Sequence, residues 1–305
     1  MDKSSKRLGA LKDMQVLHEM KQEKILKHVC TRWLSITRSL QRVLNNWLPI
    51  TQFVKEEFKA TKQPHPRLDR LNTFFASPTN KLYCLFIIHA IKPFDVFNTE
   101  FQCDAPKIHL LASRVGVLLK SLFQNYVKPS ALLYKRMCDV DFKTQANIKS
   151  DLDLVIGEEA RAFIAKKDDN KLRSKRVAEF YASVKSFYST ACDYIVLKFP
   201  VNCPLLKHCE ILNVGKQVDV SVQQTHQHQQ SNSVASLRYF MDRFPCFMEH
   251  SSHGDSPAEM REKLVNEFVL YQSFDVKSCV AERVDDTWKN IASLKDDCGA
   301  HPFTE

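Results

Sequence analysis

The sequence predicts a mainly α-helical protein, a multi-helical bundle. Three observations predict it. Glycine is scarce, with 6 in 305 residues, where an average chain would carry ~7 %. Folds built on sheets and nucleotide-binding turns draw heavily on glycine, so the scarcity disfavours them. Apolar residues recur at helical spacing through most of the chain, with little strand signal. The segments are punctuated by Pro, Asn and Ser, which end helices without needing glycine.

Residues 5–29 read as a weakly amphipathic helix ending before Cys30, with a short strand as an alternative at 26–29. The next stretch is clearer. Trp33, Leu40, Trp47 and Val54 recur every seven residues, and Ile36, Val43 and Ile50 fill the intervening positions. This predicts a buried helical stripe. Pro49 lies inside it and lacks the N–H an interior helical position needs, so a kink or break is expected near 46–48. The polar, Pro-rich 61–66 stretch reads as a linker. Helices are then expected at 67–76, 79–100 and 105–127. The middle one is apolar nearly all round from Leu82 to Ile91, which predicts a central place in the bundle. Pro78 suits its first turn, and Pro93 should kink or end it. Further helices are expected at 143–166, 171–198, 236–249, 257–272 and 281–294. Gln223 to Ser233 is too polar to pack and predicts a flexible loop.

The net charge of +9 is unevenly placed. Residues 1–70 hold 15 Lys/Arg against 7 Asp/Glu, a net of +8, while residues 71–305 hold 29 against 28. A basic first quarter on a near-neutral body points to a polyanion partner there, with a generic solvated surface as the alternative. The longest strongly apolar run, 82–91, is too short for a bilayer span of ~20 residues. No apolar run follows the N-terminus, so no secretory signal is expected. The ten cysteines show no C-x-x-C pair and read as reduced, mostly buried thiols.

No chemistry-bearing constellation emerges. Cys203, His208 and Cys209, and His226 with His228, lack the paired spacing of a zinc site. The acid pairs Asp139/Asp141, Asp151/Asp153 and Glu158/Glu159 suit helix starts and surface positions better than a two-metal centre. No Gly-rich phosphate loop and no nucleophile elbow can be written. No metal, catalytic residue or cofactor is therefore assigned, and no membrane partner is expected. The run from Lys166 to Arg176 has six basic residues in eleven. It suits an import signal, a phosphate contact or a solvated helix end.

At Thr31-Arg32-Trp33-Leu34-Ser35 the chain resembles the hAT transposase superfamily, whose members typically show T-R-W-x-S followed by a helix with a second Trp, here Trp47. Phe199-Pro200, the segment Leu205 to Leu212, Ala258 to Phe274, and Arg283 to Trp288 extend the likeness thinly over most of the chain. The resemblance implies a helical insertion domain carrying a small remnant of an RNase H-like α/β core at the N-terminus. It divides the chain into 1–60 (basic segment, core edge and Trp-bearing helix), 67–216 (helical insertion domain), 217–235 (flexible loop) and 236–305 (helices leading toward a dimerisation domain).

Family members cut DNA with a D-D-E triad on divalent metal. Two of those acids are expected upstream of the T-R-W segment, where this chain offers only Asp2 and Asp13 in a polar stretch. The last is expected in an E-R-V-F-S segment within the dimerisation domain. Glu282-Arg283-Val284 mimics it but lacks the Phe-Ser, and reads as a surface helix acid. The expectation is a truncated, catalytically inactive transposase-derived protein. Its residual activity would be DNA binding through Arg32, Trp33, Arg38 and Arg42. The periodicity assigns Trp33 instead to a buried seam. The alternative function is a helical protein-interaction module. A nuclear location is expected over a cytoplasmic one, from the resemblance and the 166–176 run.

Overall fold

The computed structural model describes residues 5–26, 35–63, 65–133, 135–166, 168, 172–200, 202–214, 234–248 and 256–295. Among them the protein is mainly helical, with no strand and one isolated antiparallel bridge between Val127 and Ile148. Contacts divide the chain into two compact units, residues 1–100 with 118–194, and residues 101–117 with 195–305.

The first unit opens with α1 (Ser5–Leu17), α2 (Ser35–Asn45) and α3 (Trp47–Ala60). α1 is shorter than the sequence suggests. It ends in a paired-turn motif, with Met20 N–H bonded to Gln15 O at 2.8 Å and Glu19 N–H to Val16 O at 2.9 Å. Glu19 takes the left-handed conformation there (φ 53°). Glycine is the usual signal for that turn, so a Glu in its place hides the helix end from sequence reading. Residues 20–26 are non-helical and form no strand; residues 27–29 of the strand alternative lie outside the described residues.

Of the seven-residue stripe, Trp47, Ile50 and Val54 are buried and Ile36, Leu40 and Val43 half-buried, while Trp33 lies outside the described residues; the expected break is present. α2 stops at Asn45 and α3 begins at Trp47, leaving Asn46 between them at φ −106°, ψ 24°. Pro49 therefore falls in the first turn of α3, where its missing N–H costs nothing. Asn46 is buried, and its side chain knits the joint. Its Nδ2 donates to Arg42 O at 2.9 Å, and its Oδ1 accepts from Gln15 Nε2 at 2.7 Å. Below the joint Trp47, Ile50, Phe53 and Val54 are buried.

α4 (Pro66–Ala76), α5 (Pro78–Ala90) and α6 (Lys92–Phe101) follow, with α5 and α6 separated at Ile91 just before Pro93. Leu82, Cys84, Leu85, Phe86, Ile88 and Ala90 of α5 are buried, as its apolar circumference requires. α7 (Ile108–Tyr126) and α10 (Ser174–Lys198) give the unit its aromatic core. Tyr126 stacks on Tyr188 with ring centroids 5.6 Å apart, and Phe86 meets Phe180, Phe187 and Tyr188 edge-on.

Between α7 and α10 lie α8 (Pro129–Leu132) and α9 (Glu158–Ala165). The helix expected over 143–166 is present only from Glu158. Asp141 captures the Lys143 and Thr144 N–H groups and the Asn147 amide, which favours a turn over a helix. Backbone bonds from Lys128 to Asn147, Lys149 to Tyr126 and Val155 to Asn125 then hold the segment to the end of α7. Leu154 and Ile156 are fully buried by this path. Gly157 starts α9 at φ 88°, and a Cβ there would lie 2.8 Å from His89 Cβ. Both conditions demand glycine.

The second unit contains α11 (Pro204–His208), α12 (Val234–Arg243), α13 (Pro257–Tyr271) and α14 (Val284–Ala292), and Leu237 and Phe240 of α12 and Trp288 of α14 pack on a core of Ile211, Phe268, Tyr271, Val276 and Ile291. α13 starts with a reciprocal cap between Ser256 and Glu259, with Pro257 in the first turn. The 217–233 part of the polar loop lies outside the described residues. No described helix is long and apolar enough to cross a membrane.

Candidate nucleic-acid interface

Of the four residues singled out by sequence, Arg32 and Trp33 lie outside the described residues, and Arg38 and Arg42 lie on α2. The amphipathic pattern orients this helix. Ser39, Leu40, Val43 and Leu44 are buried or half-buried. Thr37 Oγ1 donates to the Asp95 carboxylate of α6, which helps anchor that side. Arg38, Gln41, Arg42 and Asn45 occupy the other face at i, i+3, i+4 and i+7, so their side chains line up in one row. Gln41 Nε2 donates to Asn45 Oδ1 at 2.9 Å. The two arginines are four residues apart, so their backbone positions are about 6 Å apart along the axis.

The two arginines differ in state. Arg38 is exposed and has no ion-pair partner among the described residues. Arg42 is half-buried and pairs with Glu23, Nη1 to Oε2 at 3.0 Å. Glu23 belongs to the non-helical segment after α1. Its backbone carbonyl accepts from Gln15 Nε2 at 2.9 Å. Sequence reading passed over Glu23, because nothing in its spacing relates it to a residue nineteen positions later. The Gln41/Asn45 pair was legible from helical spacing and was missed. Neighbouring helices add exposed Lys55 and Lys59 on α3 and Arg67 and Arg70 on α4, against exposed Glu56 and Asp69. Arg7 pairs with Glu57 at 3.0 Å.

Lys81 was not anticipated as a special position. Its ammonium lies 6.0 Å from the Trp47 ring centroid and 5.5 Å from that of Phe163. Burial pulls its pKa below the ordinary lysine value. Trp47 itself is buried against Phe74 and Phe75, with centroids 5.8 and 4.9 Å away. Trp47 is thus a packing residue.

The other acids and ligand candidates read from the sequence are dispersed through the fold. Asp141 serves its turn, and three hydrogen bonds from Thr144 and Lys143 lead the causes that hold its carboxyl below the usual range. Asp151 pairs with Lys185 at 2.7 Å, and Asp153 accepts from Ser150. Glu158 and Glu159 sit in the first turn of α9. Asp13 is exposed on α1; Glu282 is exposed in the bend before α14, not within a helix. His208 stacks on Tyr239 at 4.1 Å and bonds Ser236 through Nδ1, while Cys209 is buried. No group of three or more His, Cys, Asp or Glu among the described residues could hold a metal ion. Of the basic run, Arg173, Lys175 and Arg176 are exposed, Arg176 pairs with Glu179 at 2.8 Å, and Leu172 is buried. No family model matches the chain, and neither a curated protein nor a solved structure does.

Proposed function

We propose that this chain is a hAT transposase-derived helical protein that binds DNA through the polar row on α2 without cutting it. On this reading it comprises a helical insertion domain with an RNase H-like remnant on its N-terminal side. The observation that carries the binding is the row of Arg38, Gln41, Arg42 and Asn45, which begins three residues after the Thr31–Ser35 segment. Guanidiniums suit phosphate oxygens, and flanking amides supply further hydrogen bonds to backbone or base edges. The net charge of +8 over residues 1–70 supplies the long-range attraction. The expectation of no cutting comes from the sequence, where Asp2 and Asp13 lie in a polar stretch and no Phe-Ser follows Val284. A nuclear location accords with the same reading.

The test is a titration of a labelled 20-bp duplex at several salt concentrations. Log affinity should fall linearly with log salt, and Arg38→Gln should flatten that slope by about 0.9. A flat salt response, or Arg38→Gln binding as tightly as the parent, would remove the DNA reading. A protein-interaction module would then remain.

A further inference from the structure

Arg42 is the better placed of the two arginines by depth and the worse placed by charge, because Glu23 already occupies it. Two contacts hold Glu23 there. Its carboxylate meets Arg42 at 3.0 Å, and its backbone carbonyl accepts from the buried Gln15 amide at 2.9 Å. Gln15 is in turn fixed by Asn46 at 2.7 Å. The left-handed turn at Glu19 reverses the chain and sends residues 20–26 back toward the joint between α2 and α3. The carboxylate is therefore delivered by a built frame and not by a wandering side chain.

A carboxylate and a phosphodiester offer a guanidinium the same kind of anionic oxygen acceptor. From this geometry we propose that Glu23 is an internal phosphate mimic that withholds Arg42 from DNA. The inference rests on the DNA reading of the α2 row and adds its regulation. In the resting protein only Arg38 of the pair is open to a phosphate. Arg42 joins when the Glu23 carboxylate is neutralised or the 20–26 segment is displaced. Both partners are partly exposed, with side chains 35 % and 21 % accessible, so the clasp is weak enough for a phosphate to compete with it.

The experiment uses the full chain and the same duplex. Glu23→Gln keeps the side-chain shape and leaves the backbone bond to Gln15 in place. It should bind about two- to five-fold tighter at low salt, the range that an exposed ion pair of up to ~1 kcal/mol allows. Its log–log salt slope should steepen by about 0.9. Asp13→Asn, which removes an acid from the exposed side of α1, controls for net charge. Glu23→Gln/Arg42→Gln should lose the gain and bind no tighter than Arg42→Gln alone. If Glu23→Gln gains no more than Asp13→Asn, or keeps its gain without Arg42, the clasp is refuted while the DNA reading stands. If neither the parent nor Glu23→Gln binds at low salt, both fall. Far-UV circular dichroism of each variant checks that the helices are retained.

Discussion

Replacing Asn46 by Ala tests the joint on which the candidate interface is built. Asn46 is 2 % exposed and Gln15 is 1 % exposed. The substitution removes two hydrogen bonds, to Arg42 O at 2.9 Å and from Gln15 Nε2 at 2.7 Å. Each contributes about 1 kcal/mol net, and the buried Gln15 amide is left short of one acceptor at a further cost of about 1–3 kcal/mol. The expected loss is thus about 3–5 kcal/mol. Gln15→Ala alone should also destabilise, but the double variant should lose less than the sum, with a coupling of about 0.5–3 kcal/mol. Urea unfolding followed by circular dichroism gives the free energies, and hydrogen exchange of peptides from α1, α2 and α3 localises them. A loss under about 1 kcal/mol, or additivity within about 0.5 kcal/mol, would refute the claim that these amides act as one unit.

Two further outcomes follow from the same kind of reasoning. Gly157→Ala should cost about 2–5 kcal/mol, combining backbone strain at φ 88° with a Cβ 2.8 Å from His89. Thermal unfolding should register this, with little rescue from His89→Ala, which keeps the Cβ that the new methyl meets; an unchanged midpoint would contradict it. Stability should fall as pH drops below about 6.5, the ordinary histidine value. His89, His109 and His208 are all held below that value, each first by burial and then by a nearby lysine. Above it both folded and unfolded chains keep the rings neutral; below it the unfolded chain takes up protons first and gains. A urea midpoint that rises between pH 7 and 5, or that His109→Leu leaves unchanged in its pH slope, would show the assignment to be wrong.

Periodicity made much of the fold legible in the sequence. The helical class, the break ahead of Pro49, the separation of α5 from α6 at Pro93 and the central place of α5 all follow from side-chain spacing and proline geometry. What escaped depends on tertiary partners. Asp141 gives a local turn signal only at the start of the 143–157 path; the rest is set by tertiary partners, its backbone held by the end of α7 and its burial coming from Leu154 and Ile156. The end of α1 escaped because Glu19 stands where glycine would have signalled. The candidate site was half legible. Arg38 and Arg42 were visible as basic positions on a helix, whereas Glu23 reaches Arg42 only through a chain reversal.

The three tryptophans have a practical consequence. Trp47 lies in the core of the first unit, between Lys81 and the Phe74/Phe75 pair. Trp288 belongs to the second unit, where its indole N–H donates to Leu212 O at 3.2 Å. Trp33 precedes α2 in the segment that leads into the candidate interface. Each indole is an optical probe of a different event. Variants that keep one and change the other two to Phe would separate the melting of each unit from the arrival of a ligand, in a single fluorescence channel and without an added dye.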